Sequence, residues 1–239
     1  MDKLEFDNTH VAVLNTNQDI YDSFNDFMFS EDTRVFGKLV ARVLLAEKTK
    51  NVPGDIVECG VFKGSGMLTW LKIKKNLFPN SMKKVIGFDY FDTESLISSL
   101  SGKDKERMEE LFITRNYSHN ELGTGAERYI SDSILQSGFT NADFELVKGD
   151  LSNTSLNFVE ERPGFKISIL YLDVDLNIPT YDALCNFWPR ISKGGVVVFD
   201  EYAYHQWSES LGADRFFDSR EEQIEILNFN GPTAFVIKK

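Results

Sequence analysis

The sequence is poor in cysteine, in long apolar runs and in positive charge, and each shortage excludes a class of protein. The two cysteines, Cys59 and Cys185, lie in apolar segments without a partner at metal-ligand spacing, which is typical of buried thiols in a reducing compartment. No run approaches the roughly 18 apolar residues of a membrane span. Residues 1–7 have neither a basic start nor an apolar core, so we expect a cytoplasmic protein with no membrane partner.

Acidic residues outnumber basic ones, 37 against 26, and give a formal net charge of -11. Such a surface repels phosphate backbones at long range, so no nucleic acid is expected as a partner. No stretch rich in proline, glycine or serine suggests disorder, and 42% hydrophobic residues suffice for a substantial core. We therefore expect one soluble domain over residues 1–239, and the sequence leaves homo-oligomer formation open.

Short apolar runs rich in β-branched residues alternate with longer stretches at helical period, which predicts βαβ units and a mainly parallel sheet. The predicted strands are 55–59, 84–88, 144–147, 167–172, 195–199, 222–229 and 233–238. The last two are separated by too few residues for a parallel crossover, so they are expected to form an antiparallel hairpin. The predicted fold is a doubly wound α/β domain whose seven-stranded, mainly parallel sheet ends in a C-terminal antiparallel hairpin.

Helices are predicted at 31–50, 65–76 and 180–191, the last closed by Lys193-Gly194-Gly195. Residues 1–50 are predicted to form an N-terminal helical extension. The stretch 92–137 is polar and helical in tendency, and two interpretations stay open. It is either a peripheral helix pair or a lid that binds the acceptor over the active site.

The first motif with chemical meaning runs from Ile56 to Gly66, where a strand leads into glycines and then a helix. Glycine lets backbone approach a ligand closely, and the N–H groups of the helix start point at it, so the loop predicts a nucleotide-type cofactor. The spacing of Gly60, Gly64 and Gly66 differs from the dinucleotide pattern Gly-x-Gly-x-x-Gly, which disfavours NAD. Glu58 at the strand end suits a cationic ligand group; a purely structural turn is the alternative.

Acids also follow the second and third predicted strands. Asp89 stands where an acid can accept hydrogen bonds from both ribose hydroxyls of an adenosine. Gly149 and Asp150 are placed to close over the adenine. The alternatives are a cap for Asp89 and a surface turn for the other two.

The most specific feature is a set of acids after two central strands, Asp173 and Asp175 after one and Asp200 and Glu201 after the other. If these strands are parallel neighbours, four carboxylates converge at one sheet edge and need compensation for their repulsion. Mg²⁺, a hard cation that prefers oxygen ligands, would provide it. The alternative is helix caps and solvated side chains. His205 is a candidate for proton transfer, or a bystander.

With these motifs the chain resembles class I S-adenosylmethionine-dependent methyltransferases, and more narrowly the macrocin O-methyltransferase family of antibiotic sugar methylases. The resemblance covers residues 52–202. Residues 52–64 are similar to the family's Pro-Gly-Asp-(apolar)₂-Glu-Thr-Gly-Val-Trp-Arg-Gly loop. Asp173-Val174-Asp175, Gly194-Gly195 and Asp200-Glu201-Tyr202 resemble its Asp-Gly-Asp, Gly-Gly and Asp-Asp-Tyr series. Val174, Asn177 and Glu201 depart from that pattern.

The resemblance implies an S-adenosylmethionine-dependent, Mg²⁺-dependent O-methyltransferase that acts on a sugar hydroxyl in glycan or secondary-metabolite biosynthesis. Asp173, Asp200 and Glu201 would hold Mg²⁺, and Asp175 would take the proton from the hydroxyl, with His205 the second catalytic candidate. The predicted cofactor-binding residues are Glu58, Gly60, Val61, Phe62, Gly64, Ser65, Asp89, Gly149, Asp150 and Asp173. Two alternatives remain: a metal-independent small-molecule methyltransferase of the same fold, and a non-catalytic cofactor-binding partner subunit.

Overall fold

A computed structural model describes residues 8–114, 119 and 125–239. In these ranges the strands form one sheet in the order β3-β2-β1-β4-β5-β7-β6. The strands are β1 (Asp55–Cys59), β2 (Val85–Asp89), β3 (Phe144–Lys148), β4 (Ile167–Leu172), β5 (Ile191–Phe199), β6 (Glu225–Ile226) and β7 (Ala234–Ile237). Neighbours from β3 to β5 pair in parallel, whereas β7 is antiparallel to both β5 and β6. The predicted doubly wound sheet with its C-terminal hairpin is confirmed.

Helices connect and flank these strands. They are α1 (Asn8–Phe29), α2 (Thr33–Thr49), α3 (Ser65–Leu77), α4 (Thr93–Ser99), α5 (Gly102–Glu109), α6 (Ala126–Gln136), α7 (Leu151–Glu161), α8 (Asn177–Phe187) and α9 (Glu209–Phe217), with a π-helical turn at Glu110–Thr114 and a 3₁₀ turn at Trp188–Arg190. Asp32 begins α2 by accepting a hydrogen bond from the Arg34 N–H, as an N-cap does. No helix within the described ranges is long and apolar enough to cross a bilayer.

The core lies on both faces of the sheet because successive strand residues point to opposite sides. On one face Val57, Leu170 and Val197 pack with residues of α7, α8 and α9. On the other, Ile56 and Ile169 pack with residues of α2, α3 and α6. Because helices cover both faces of the sheet, the near-continuous apolar runs of β4 and β5 are buried on both sides.

Three sequence expectations need correction. The glycines at 194 and 195 do not end a helix but lie in an irregular part of β5, where the pairing jumps from Ile167–Ile191 to Ile169–Val196. The strand β6 is shorter than predicted because it lies at the sheet edge, with both of its residues exposed and pairing only to β7. Cys59 is buried as expected, but Cys185 lies on the exposed side of α8.

Candidate active site

The loop after β1 is held in shape by β2 and β4. Gly60 has a left-handed φ of 89°, and a Cβ there would lie 1.8 Å from the carbonyl oxygen of Asp173, so only glycine fits. Asp89 accepts hydrogen bonds through Oδ2 from the N–H groups of Val61 and Phe62, at 2.8 and 2.9 Å. The structure thus shows Asp89 as a brace of the predicted cofactor loop; its contact with a ribose stays a prediction.

The carboxylate of Glu58, at the end of β1, is buried, and only one of its two oxygens has a partner among the described residues. Its Oε1 pairs with Nη2 of Arg42 at 3.0 Å, while the buried Oε2 has no hydrogen-bond partner in the described part of the chain. Burial raises the pKa of Glu58 to about 7, although the charge of Arg42 opposes the rise. The pair lies so close to α3 that a Cβ on Gly66 would sit 1.9 Å from Oε1.

The structure brings the acids after β4 and β5 to one edge, as the parallel pairing of Leu172 with Phe199 requires. Asp200 is fully buried and accepts a hydrogen bond through Oδ1 from the Tyr171 hydroxyl at 2.5 Å. Burial, and then repulsion from Asp200, raises the pKa of Asp173 to about 6. Burial and the charge of Asp173 raise the pKa of Asp175 well above its usual value.

Asp175 also has an unusual backbone conformation. Its φ is 63°, in the left-handed region that a non-glycine residue rarely adopts. The Ser208 N–H donates to the Asp175 carbonyl at 3.0 Å and holds this conformation. Such strain is often found at functional positions, which agrees with the catalytic role predicted for this residue.

Sequence reasoning missed the cations that face these acids. Lys38 on α2 places its Nζ 2.6 Å from Asp200 Oδ2 and 3.3 Å from Asp173 Oδ2. Arg34, one turn earlier, contacts Glu201 Oε1 and lies 3.5 Å from Asp200 Oδ2. Together with the Arg42–Glu58 pair, they form a row of ion pairs along the sheet edge.

The spacing of these cations matches the strand order. Residues four apart on a helix share a face, so Arg34, Lys38 and Arg42 form one row on α2. Eight helical residues rise about 12 Å. The partner acids belong to β5, β4 and β1, which are adjacent in the sheet and span two strand spacings, about 10 Å. The i, i+4, i+8 repeat of basic residues was visible in the sequence, but nothing in it showed where α2 docks.

A further buried acid was also missed. Glu209, at the start of α9, is fully buried, and its Oε1 accepts a hydrogen bond from the Glu201 N–H at 3.1 Å. Burial, followed by the charge of Asp175, raises the pKa of Glu209 well above its usual value. Its Oε2 has no partner among the residues with described positions. A glutamate in a polar stretch gives no sequence signal of such burial.

Other predicted site residues lie at the periphery. Asp150 caps α7 by accepting from the Ser152 N–H at 3.1 Å, a structural role that differs from the surface turn given as its alternative. Gly149 donates its N–H to the Asp89 carbonyl at 2.9 Å and so lies next to β2. His205 is exposed, with its ring 5.2 Å from that of Tyr204, and is not one of the buried residues of the site.

Gly64 and Ser65 form the junction between the loop and α3. Gly64 is the N-cap of α3 with a left-handed φ of 91°, and Ser65 is the first residue of that helix. A Cβ on Gly64 would lie 2.8 Å from a methyl carbon of Ile130 on α6. The predicted glycine loop therefore contacts α6, which belongs to the stretch 92–137.

The segment after β2 covers the same edge of the sheet. Ile97, Met108 and Phe112 form a small apolar cluster with Leu176, against which Phe62 and Trp207 pack. Phe62 belongs to the β1 loop, Leu176 follows β4 and Trp207 follows β5. The Ser208 hydroxyl donates to the Asp104 carboxylate of α5 at 3.0 and 3.1 Å. Part of the stretch 92–137, for which both a lid and a peripheral helix pair were open, lies outside the described residues, namely 115–118 and 120–124.

The predicted Mg²⁺ ligands do not fit a metal in this arrangement. Both oxygens of Asp200 are engaged, by Tyr171 and Lys38, and cations of α2 contact Asp173 and Glu201. Mg²⁺ requires oxygen ligands at about 2.1 Å in a near-ideal octahedron. Over the described ranges, no group of three or more His, Cys, Asp or Glu side chains is arranged to hold a metal ion.

Comparison with known proteins gives a consistent family. The model of the family described as Macrocin-O-methyltransferase (TylF) matches residues 33–228. A curated relative from Streptomyces olivaceus, named 8-demethyl-8-(2,3-dimethoxy-alpha-L-rhamnosyl)-tetracenomycin-C 4'-O-methyltransferase, is 26% identical over 152 residues, 64% of this chain and 54% of that protein. The chain thus spans about half the length of the curated relative it matches.

Solved structures share the fold. The calicheamicin methyltransferase CalS11 superposes with a TM-score of 0.67 at 22% identity, over 83% of this chain and 77% of that one. The O-methyltransferase NovP gives a TM-score of 0.67 at 19% identity, over 85% and 80% of the two chains. The chain has the class I methyltransferase fold that its sequence predicts.

Proposed function

This chain belongs to the macrocin O-methyltransferase family, and we propose that it transfers a methyl group from S-adenosylmethionine to a hydroxyl of a sugar unit in a small-molecule acceptor. The name of the curated relative, a 4'-O-methyltransferase of a rhamnosyl compound, supports this acceptor class. The observation that carries the proposal is the buried Oε2 of Glu58, which has no hydrogen-bond partner among the described residues and lies beside the Gly60 loop, at the same sheet edge as Asp173 and Asp175.

The residues around the β1 loop fit S-adenosylmethionine. A buried carboxylate oxygen without a partner is costly unless a ligand satisfies it, and the ammonium of the methionine part is a suitable partner for Glu58 Oε2. Only glycine fits at position 60, so no side chain there blocks the approach of a ligand to the loop backbone. When bound, the cofactor supplies a methyl group activated on a sulfonium. The predicted binding set, with Gly64, Ser65, Asp89 and Asp150, is retained as part of this proposal.

Asp175 acts as the general base in this proposal. Methyl transfer to oxygen needs the acceptor hydroxyl held in line with the methyl group and its proton removed. The raised pKa of Asp175 makes its carboxylate a stronger base than an ordinary aspartate, and Ser208 fixes its backbone. His205, exposed on the loop after β5, stays a prediction as a second proton-transfer group.

The segment 92–114 acts as the acceptor-side cover of the site. Its apolar cluster with Leu176 packs against Phe62 and Trp207, which follow β1 and β5. A cover excludes water from the transferring methyl group and positions the acceptor. Of the interpretations open for residues 92–137, this packing favours the lid over a peripheral helix pair.

Other expectations stay predictions. Mg²⁺ dependence is implied by the family resemblance alone, and the ion pairs that α2 forms with the predicted ligands oppose it. The cytoplasmic location and homo-oligomer formation are likewise untested.

The test is transfer of labelled methyl from S-adenosylmethionine to a panel of sugar nucleotides and deoxysugar glycosides. We expect transfer to at least one sugar hydroxyl. Asp175→Asn should lower kcat about 10²- to 10⁴-fold, the usual contribution of a general base, while the affinity for S-adenosylhomocysteine stays within twofold by calorimetry. Asp132→Asn, on the exposed face of α6, is the matched control and should leave kcat unchanged.

Two results would contradict the proposal. Tight cofactor binding without transfer to any sugar acceptor would favour the non-catalytic partner subunit. Unchanged turnover in Asp175→Asn would remove Asp175 as the base.

A further inference from the structure

The row of cations on α2 offers the carboxylates a compensating charge that the chain itself supplies. Arg34 and Lys38 bring two positive charges to Asp173, Asp200 and Glu201. One divalent metal ion would bring the same charge to the same three side chains. The two side chains and a metal ion would compete for the same carboxylates, because positive charges placed next to one another repel.

Lys38 occupies the central position of this arrangement. Its Nζ lies between Asp173 Oδ2 and Asp200 Oδ2, at 3.3 and 2.6 Å, so it takes the oxygens that would have to face a shared metal. The ammonium thus faces one oxygen of each carboxylate, where a shared divalent ion would have to lie.

The helix that carries Lys38 is firmly packed. Ala41, Leu45 and Ala46 on α2 are buried, the last two in the apolar cluster on one face of the sheet. At the other side, a Cβ on Gly231 in the β6–β7 connection would lie 3.1 Å from Lys38 Cε and 3.2 Å from Arg34 Nε. Lys38, whose side chain is 22% exposed, is thus packed between this connection and the acids, which limits its withdrawal to admit a metal, whereas the more exposed Arg34 is less confined.

We propose that Lys38, assisted by Arg34, takes the place of the divalent cation, so that methyl transfer by this chain requires no metal. Lys38 is then a positioning residue: it fixes Asp173 and Asp200 and supplies positive charge near the acceptor hydroxyl. This inference rests on the proposed methyltransferase function for its activity readout, but not for its metal-binding readout.

The first experiment uses the full-length wild-type protein freed of metal with EDTA. Titration with MgCl₂ in a calorimeter should show no binding below millimolar concentration, and methyl transfer in excess EDTA should stay within twofold of that in 1 mM MgCl₂. Submillimolar Mg²⁺ binding, or a tenfold or larger loss of activity in EDTA that Mg²⁺ restores, would overturn the proposal. Absence of methyl transfer under all conditions counts against the proposed function instead, and the titration still decides the metal question.

The second experiment removes the internal cation. Lys38→Ala leaves three acids with less compensation, so we expect Mg²⁺ to bind at least tenfold more tightly than to the wild type and to raise the thermal midpoint of the variant. Lys38→Arg keeps the charge and, like the wild type, should show no Mg²⁺ binding below millimolar concentration. Lys48→Ala, on the exposed side of the same helix, is the control and should not gain Mg²⁺ binding. A purely structural lysine would lower stability without this gain, and that result would refute the exchange.

Discussion

Replacement of Glu58 by glutamine should change how stability depends on pH. The pKa of Glu58 is raised from its usual 4.5 to about 7, mainly by burial, so its ionised form is disfavoured in the folded protein. A tenfold change in an ionisation equilibrium corresponds to 1.36 kcal/mol, so ionisation at high pH costs the folded state about 3 kcal/mol. Glutamine has nearly the same shape and cannot ionise.

The sign follows from proton counting. Between pH 4.5 and 7 the folded state holds a proton on Glu58 that the unfolded state has released, so stability falls as pH rises through this window. Relative to the wild type, Glu58→Gln should therefore gain about 2 kcal/mol in free energy of unfolding between pH 5.5 and 8.5. Any constant cost of the altered contact with Arg42 cancels in this comparison.

The assay is urea unfolding of the cofactor-free protein at several pH values, with equal m-values as a check on two-state behaviour. Glu145→Gln provides the matched control because Glu145 pairs with Arg162 at 2.8 Å in a partly exposed position. Such surface pairs contribute at most about 1 kcal/mol, so its curve should run nearly parallel to the wild type. A Glu58→Gln difference that is flat, or that shrinks as pH rises, would refute the reasoning.

Three further substitutions test the site. Gly66→Ala should cost about 1–3 kcal/mol of unfolding free energy, because its Cβ would press on Glu58, and a melt unchanged within 1 °C would contradict this. Asp89→Ala should weaken S-adenosylhomocysteine binding at least tenfold in calorimetry by releasing the β1 loop; equal affinity would show that the brace is dispensable. Ser208→Ala removes the link to Asp104 and should raise the acceptor KM more than it lowers cofactor affinity, whereas equal effects on both would argue against an acceptor-side cover.

The sheet could be predicted from the sequence because its strands are short apolar runs with distinct ends. β1 and β4 begin and end where predicted. The irregular start of β5 could not be foreseen, because Gly194 and Gly195 have the same appearance in a strand irregularity as after a helix. The predicted length of β6 was too great, because an edge strand with a single neighbour does not have to pair along its whole length.

The acids of the site were predictable, but their partners were not. Asp173 and Asp200 follow apolar strands, and parallel pairing brings such positions together whatever the details of packing. Lys38 and Arg42 are separated from most of the acids by long stretches of chain, and the periodicity of α2 indicates a row of cations without its target. The sequence therefore indicated that the acids need a compensating charge, and the structure places cations of α2 beside them, while the predicted Mg²⁺ stays a prediction.

The ion pairs of α2 also bear on how the chain folds. Lys38 and Asp173 are 135 residues apart, so their contact forms only after large loops have closed, which is slow. Whenever β1, β4 and β5 have paired before α2 docks, the acids face one another without compensation, and dissolved salt should ease this step by screening. In that order of events, docking of α2 would complete the site and at the same time relieve the repulsion between these acids.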